Sequence, residues 1–243
     1  MEVARGLYRQ TLGIANWYLV EQGGAFVVVD AGTASDWSLL VEALRALEHR
    51  VRDVEAVLLT HAHPDHVGFA ERARAEAEAR IFIHNADQER LRGGKAPANE
   101  ARLGRYLLRW ETWRTSLGLL RQGGVKIVPV AEVSTFADGE TLDVPGRPRA
   151  IHLPGHTDGS AGLWFEDRSA LCTGDALVTH NPLTGRDGPQ VMPAALNQDS
   201  DLALRSLDAV ASISASVLLP GHGEPWSGDA SEAVRQARIA GPS

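Results

Sequence analysis

The sequence predicts a layered α/β fold, and two patterns carry this prediction. Along the first half of the chain, short apolar runs of strand length alternate with segments in which apolar residues recur at helical spacing. After a long helical segment the second half returns to strands, so we expect the two strand-rich halves to form two sheets of one sandwich. The chain has 243 residues, of which 44% are hydrophobic and 23% charged, as in a globular protein with a substantial core.

The elements of the first half follow from local signals. Residues 21–24, EQGG, are typical of a hairpin turn, and Ser35 is a candidate cap for the helix that follows. In chain order the predicted elements are strands at 14–20 and 25–30, a helix over 34–50, a strand at 54–60, a helix over 66–80 and a strand at 80–84.

The second half reads as a series of short apolar strands followed by two helices. A loop rich in Pro, Gly and Asn, residues 179–197, separates the strands from the first of these helices. The predicted elements are strands at 125–130, 141–144, 149–154, 161–167 and 169–175, a helix over 201–213, a strand at 216–220 and a helix from about Asp229.

A basic segment separates the two halves. From Arg90 to Arg121 it carries eight Lys and Arg residues against two Glu, on a chain whose net charge is −7. We predict a long, inserted helical cap over 90–123, within a single domain of residues 1–243. Its helical stripe consists of Leu103, Tyr106, Leu107, Trp110, either Trp113 or Arg114, and Leu117.

Three interpretations of this cap stay open from the sequence. The stripe could pack into the core and leave a solvated basic face. It could form a lid, with Trp110 as an apolar wall and Arg109 attracting an anionic substrate. It could also be the contact of a homodimer.

Composition limits the classes of molecule that we expect this protein to bind. The net charge of −7 disfavours nucleic acid and anionic membranes as partners. The partner we expect is a small-molecule substrate. The first residues lack the apolar stretch of a secretory signal, no apolar run reaches membrane-spanning length, and the single Cys172 excludes an intramolecular disulfide. We therefore expect a cytoplasmic protein.

The densest chemical signal is the motif His61-x-His63-x-Asp65-His66, directly after the strand at 54–60. In an extended segment His61 and His63 project to the same side. After Pro64, which is tolerated in a first helical turn, the chain is expected to turn into a helix. Two ligand sets that diverge from one bend could serve two metal ions.

Metal ligands are also expected at other strand ends, where functional residues gather in layered α/β folds. Three candidates occur, each directly after a predicted strand and beside glycine: His156, Asp175 and His222. Glycine next to a ligand lets the backbone approach the metal closely.

Together these residues resemble the metallo-β-lactamase superfamily, over nearly the whole chain and in order and spacing. The sequence VVVDAG with Asp30 is similar to the first motif of that family. The resemblance implies a four-layer αβ/βα sandwich with a two-metal site along one edge. It implies that His61, His63 and His156 hold one ion, that Asp65, His66 and His222 hold the other, and that Asp175 bridges them.

The implied ligand set suits zinc best, with manganese and iron as alternatives. A bridged pair of ions would lower the pKa of a shared water, and the resulting hydroxide would attack a carbonyl or phosphoryl centre. Asp65 could orient this hydroxide and return its proton to the leaving group. Asp30 is expected to orient a ligand, and His180, in the loop after Asp175, to line the substrate pocket.

The resemblance leaves several activities open, because this fold hosts many chemistries. The first hypothesis is a dinuclear hydrolase of a carboxylic ester, lactone or thioester, with promiscuous hydrolysis of β-lactams or phosphotriesters. Only about twenty residues follow His222, so the helical domain that binds glutathione in glyoxalase II-type thioesterases is not expected. The alternatives are a mononuclear iron enzyme similar to persulfide dioxygenases and a metallo-β-lactamase proper.

Overall fold

The computed structural model describes residues 1–95 and 97–242 and contains two mixed sheets that pack face to face. In the first sheet the spatial order of the strands equals their chain order. These strands are β1 (Glu2–Ala4), β2 (Leu7–Thr11), β3 (Asn16–Gln22), β4 (Ala25–Val29), β5 (Val54–Leu59), β6 (Arg80–His84) and β7 (Ser134–Phe136). Strands β1 to β4 are antiparallel to their neighbours, whereas β4 to β7 run parallel.

The second sheet is formed by the second half of the chain. Its strands are β8 (Arg149–His152), β9 (Ala161–Phe165), β10 (Ala170–Gly174), β13 (Val217–Pro220) and β14 (Trp226–Ser227). Their spatial order is β14-β13-β10-β9-β8, and β10 and β13 are parallel. A separate hairpin pairs β11 (Val178–His180) with β12 (Asp187–Gln190).

Helices pack on the outer face of each sheet. The described α-helices are α1 (Asp36–Ala46), α2 (Ala70–Ala77), α3 (Gln88–Leu91), α4 (Trp110–Gln122), α5 (Ser200–Ala211) and α6 (Ala230–Ala240). Apolar residues of α1 and α2 pack on the first sheet, and those of α5 and α6 pack on the second. None of the described helices is both long and apolar enough to cross a membrane.

The four-layer arrangement follows from the alternation of side chains along each strand. In β4, Phe26 and Val28 belong to the core beneath α1 and α2, whereas Val27 and Val29 belong to the core between the sheets. In β10, Leu171 faces α5 and α6, while its neighbours face the first sheet. The predicted αβ/βα sandwich is confirmed.

Some predicted elements are wrong. Residues 125–130 form no strand: Val125 and Val128 are exposed, and Pro129 has no N–H for a ladder. Residues 141–144 contribute only an isolated bridge between Thr141 and Arg149. The sequence also missed β1 and β2, since β1 is an edge strand of only three residues and most residues of β2 are polar and partly exposed.

The basic segment 90–123 is less helical than predicted. It contains the end of α3, a 3-10 turn at Leu103–Tyr106 and the whole of α4, and its other described residues form no helix. Gly93, Gly94 and Pro97 interrupt the helical pattern, because glycine and proline both disfavour a helix interior.

Candidate metal centre

The predicted metal ligands follow strands that end at the same edge of the sandwich. His61 follows β5, His156 follows β8, Asp175 follows β10 and His222 follows β13. The two sheets are joined at this edge by a hydrogen bond from the backbone N–H of Ala161 to the carbonyl of Thr60, at 2.8 Å. Loops from both sheets therefore converge on one site.

The loop between β5 and α2 carries four of the seven side chains. It is a series of turns and bends, with a hydrogen bond of 3.0 Å from the N–H of His66 to the carbonyl of His63. The helix α2 begins only at Ala70, so the predicted helix from His66 starts four residues too early. A helix beginning at His66 would fix these side chains at helical spacing, whereas the irregular loop allows them to converge.

Seven side chains meet at this edge in two groups. In each group the donor atoms lie within 4.8 Å of one another. The first group consists of His61, His63, His156 and Asp175, and the second group consists of Asp65, His66 and His222. The structure thus brings together every residue for which the sequence predicted a ligand role.

Asp175 lies between the two groups. Its Oδ2 is 3.4 Å from Nε2 of His156 and 3.3 Å from Nε2 of His222. Its Oδ1 is 3.5 Å from Nε2 of His66. One carboxylate therefore faces imidazoles of both groups, which is the arrangement needed for a shared ligand.

In the second group, oxygen acceptors fix the outer nitrogen of each imidazole. Nδ1 of His66 donates to the carboxylate of Asp30 at 2.9 Å, and Nδ1 of His222 donates to the carbonyl of Ile14 at 2.7 Å. Each hydrogen bond places a proton on Nδ1, so Nε2, which faces the cluster, is the nitrogen that can bind a metal once the ring is neutral. Asp65 completes the group, with its Oδ2 3.5 Å from Nε2 of His222.

The first group is oriented in the same way. Nδ1 of His156 donates to the side-chain oxygen of Asn197 at 3.1 Å. The hydroxyl of Thr60 has its own hydrogen on Asp30, so at 3.0 Å it accepts a hydrogen bond from Nδ1 of His61. His63 is reversed, since its Nδ1 points inward and lies 2.8 Å from Nε2 of His156.

These donors fit divalent metal ions. Among the described residues, Nε2 of His61, Nε2 of His66 and Oδ1 of Asp175 are buried without a hydrogen-bond partner. Buried polar atoms are rarely left unpaired, because desolvation is then uncompensated. Ligand atoms about 2.0–2.1 Å from a tetrahedral ion lie roughly 3.3 Å apart, close to the separations around Asp175.

The electrostatics differ between the groups. Burial, followed by neighbouring imidazoles, holds the pKa of His61 and His63 well below the usual range, and burial also lowers the pKa of His156. These imidazoles are therefore neutral at pH 7, the form that binds a metal.

In the second group, nearby carboxylates together outweigh the effect of burial on the pKa of the histidines. Burial would lower the pKa of His66, but Asp175, Asp65 and Asp30 outweigh it and raise that pKa to about 10. Asp175 likewise outweighs burial and raises the pKa of His222. Burial raises the pKa of Asp175, but His222 and His66 hold it well below its usual range. The second group would have to release these protons on binding a cation.

Comparison with known proteins agrees with this geometry. The sequence model of the metallo-beta-lactamase superfamily matches residues 10–222. The chain belongs to this superfamily. It is 25% identical to the "Probable metallo-hydrolase YflN" of Bacillus subtilis (strain 168), over 93% of this chain and 87% of that protein.

Two further proteins are similar to this chain. A hydroxyacylglutathione hydrolase of Cereibacter sphaeroides (strain ATCC 17029 / ATH 2.4.9) is 31% identical, over 63% of this chain and 48% of that protein. The crystal structure of a metallo-beta-lactamase family protein from Thermus thermophilus has a TM-score of 0.68 and 28% identity, and the match covers 97% of this chain and 79% of that one. Superfamily membership and the metallo-hydrolase relatives identify this protein as a metal-dependent hydrolase.

Asp30 lies where the sequence predicted an orienting residue. It is a buried non-glycine residue with φ of +61°, a conformation that costs energy for most side chains. Its carboxylate accepts hydrogen bonds from the N–H and hydroxyl of Thr60 and from His66. One carboxylate therefore orients both ends of the ligand motif, since Thr60 contacts His61.

Sequence reasoning missed several supporting residues. The buried carboxylate of Asp87 accepts hydrogen bonds from the N–H of Ala62 at 2.8 Å, the hydroxyl of Thr157 at 2.8 Å and the N–H of Gly159 at 3.0 Å. It thereby connects the loop that carries His61 and His63 with the loop that carries His156. Asp87 could have been found from the sequence, because it lies just after β6 and functional residues gather at strand ends. Asn197 lies in an irregular loop, and its position in the sequence gave no such indication.

The predicted pocket residues lie outside the two groups. His180 donates from Nδ1 to Asp187 at 2.7 Å. Its neighbour Thr179 donates from its backbone N–H to the carbonyl of His222, so His180 lies one residue from a contact with a ligand residue. Arg109 is exposed at the start of α4, and Trp110 is 74% exposed. Their role in substrate binding stays a prediction.

The helical stripe of the segment 90–123 is mostly on the surface. Tyr106 is buried, but Trp110 is 74% exposed, Trp113 57% and Leu117 46%. Trp110, Trp113, Leu117 and Leu120 line a groove of about 620 Å³ between α4 and Ile14. The interpretation of the stripe as core packing is therefore wrong for α4.

Proposed function

We propose that this protein is a dinuclear, zinc-dependent hydrolase of carboxylic esters, lactones or thioesters. The observation that carries the proposal is the position of Asp175, whose two oxygens face imidazoles of both ligand groups. A mononuclear site would not need the complete second group of Asp65, His66 and His222. The mononuclear iron oxygenase is therefore the less favoured alternative.

In this proposal His61, His63 and His156 would hold one ion, the second group would hold the other, and Asp175 would contribute to both. When bound, the ions supply Lewis acidity and lower the pKa of a water molecule. Asp30, Thr60, Asn197 and the Ile14 carbonyl keep the imidazole rings oriented, as the outer partners of metal ligands do in general.

Asp65 is the proposed proton carrier. His63 and Asp65 are partly exposed, whereas the other five ligand residues are buried, so the cluster opens on this side. The carboxylate of Asp65 is 16% exposed and can meet a substrate that enters here. It would accept a proton from the attacking water and return it to the leaving group.

A carbonyl substrate is supported by one relative, which is named as a hydrolase of an acyl derivative of glutathione. The match spans about half of that protein, so only the acyl chemistry is carried over here.

The segment 90–123 is proposed as the wall of the substrate site. Its chain contacts three of the loops around the cluster: Glu100 N–H donates to Asn197 at 2.8 Å, Thr112 donates to Leu183 at 3.1 Å, and Gln122 donates to Leu12 at 3.1 Å. The first of these loops orients His156. The last leads to Ile14, which orients His222. A segment fixed at these points can border the bound substrate.

The test is a turnover screen over lactones, thioesters, aryl esters and β-lactams on protein of measured metal content. We expect hydrolysis of at least one carbonyl class, proportional to bound metal and abolished in Asp175→Ala. Full activity of a folded Asp175→Ala variant would refute the proposal. So would one iron per chain together with oxygen consumption on persulfides.

A further inference from the structure

Among the described residues of the basic segment, Arg90 is the one partly buried cation. The other seven Lys and Arg residues of the segment are exposed, whereas Arg90 is partly buried on α3. A guanidinium taken out of water without a partner loses hydration energy that nothing restores. A partly buried arginine is therefore normally paired.

Arg90 has no such partner among residues 1–95 and 97–242. No carboxylate of these residues lies within ion-pair distance of its guanidinium, and no hydrogen bond engages the side chain. Other arginines of the segment differ: Arg114 pairs with Glu111 at 2.6 Å, and Arg105 stacks on Tyr106.

The position of α3 directs Arg90 toward the metal centre. Asp87, one turn before Arg90, contacts Ala62 between two ligand histidines and Thr157 beside a third. Asp87 directly precedes α3 and Arg90 is the third residue of this helix, so Arg90 lies one turn from the contact that docks α3 on the ligand loops. Leu91, the next residue, is fully buried and holds the turn in place.

The positive charge of Arg90 interacts with Asp65, which lies on the open side of the cluster. Burial lowers the pKa of Arg90 itself, and the carboxylates of Asp87 and Asp65 oppose this shift. His63 and Asp65 are the two partly exposed ligands, so Arg90 stands beside the entrance for substrate.

We propose that Arg90 forms an anion-binding subsite beside the metal centre, which selects substrates that carry a carboxylate. This inference rests on the proposed hydrolase function and names the substrate class. The planar guanidinium can donate two parallel hydrogen bonds to a carboxylate, a stronger and more directional contact than a single point charge. In this arrangement the carboxylate lies at Arg90 while the scissile carbonyl lies at the metal cluster.

The proposal is tested with matched pairs of aryl esters. One member of each pair is a half-ester of succinate, glutarate or adipate, and the other has a terminal carboxamide in place of the free carboxylate. For at least one chain length, Arg90→Gln should raise KM for the carboxylate ester by roughly ten- to a hundredfold, as expected for a lost charged hydrogen bond. The carboxamide ester should change by less than about threefold, and Arg90→Lys should recover part of the loss.

The control variant is Arg52→Gln, which removes the same charge from an exposed position outside the segment 90–123. It should leave both esters unchanged, and every variant should retain its bound metal. An equal increase in KM for both esters of a pair in Arg90→Gln would overturn the proposal. So would a wild-type enzyme that shows no preference for the carboxylate ester at any of the three diacid chain lengths. Loss of metal in Arg90→Gln would also overturn it, because the residue would then support the ligand loops.

A binding measurement separates this proposal from the proposed function. Calorimetric titration of the metal-loaded protein with the three dicarboxylates and their monoamides requires no turnover. If no ester is hydrolysed but a dicarboxylate binds at least tenfold more weakly to Arg90→Gln, the hydrolase proposal fails and the subsite stands. If wild type and Arg90→Gln bind all three dicarboxylates equally, the subsite is refuted whatever the activity.

Discussion

The carboxylate of Asp30 lies 2.9 Å from Nδ1 of His66 and also holds Thr60, which contacts His61. One side chain from the first sheet thus orients imidazoles of both ligand groups. Its backbone is in the left-handed region, at φ of +61°. The carboxylate is held there by three hydrogen-bond donors, so this conformation serves to aim it at the ligand motif.

Asp30→Asn should weaken metal binding at the second group by about ten- to a hundredfold, the usual effect of losing an outer partner of a metal ligand. Competitive titration with a chromogenic chelator measures this affinity. The control is Asp187→Asn, which removes the carboxylate of a similar pair with His180. An equal loss of metal affinity in both variants would show that Asp30 has no specific role in orienting the metal ligands.

Asn197→Ala should weaken binding at the first group, because the side chain accepts from Nδ1 of His156 and donates to the carbonyl of Met192 at 2.7 Å. It should also destabilise the fold by about 1–3 kcal/mol, the cost of unpaired buried groups. Asn197→Asp retains an oxygen acceptor and should restore most of the metal affinity. An Asn197→Ala protein with wild-type affinity would contradict this role.

Gly221→Ala should disrupt the centre. A Cβ at this position would lie 2.1 Å from Oδ1 of Asp175 and 2.8 Å from Cε1 of His66. Both side chains would have to move, so bound metal and activity should fall at least tenfold, as metal analysis and rate assays would show. Gly104→Ala, where a Cβ meets nothing within 4 Å, should leave both unchanged.

Removing the metal should lower thermal stability. A ligand present at a hundred times its dissociation constant stabilises a protein by about 2.7 kcal/mol, and this contribution disappears on chelation. In calorimetry the melting temperature should therefore fall after chelation and recover when zinc is added back. An unchanged melting temperature in fully metal-free protein would contradict a metal centre that contributes to stability.

Trp110→Ser should raise KM for esters with large apolar acyl groups more than for acetate esters, if α4 borders the substrate as proposed. Trp110 is 74% exposed, so the substitution should cost little stability. Sedimentation of the same variant checks the alternative: a wild-type dimer that dissociates in Trp110→Ser would identify α4 as a dimer contact.

The ligand set could be predicted from sequence because metal chemistry restricts residue types, and because strand ends of a layered fold converge at an edge. Asn197 and the Ile14 carbonyl could not be predicted, since they lie in irregular loops and one is a backbone atom. The stripe on α4 shows a different limit. Helical periodicity reports that one face is apolar, but not whether that face is covered, and here it is exposed.

The most direct test of the central claim is the number of metal ions per chain, measured by native mass spectrometry after reconstitution with zinc. The shared position of Asp175 predicts two ions in the wild type and at most one in a folded Asp175→Ala variant. A wild-type chain that binds a single ion at saturation, or an Asp175→Ala chain that retains two, would contradict the dinuclear centre.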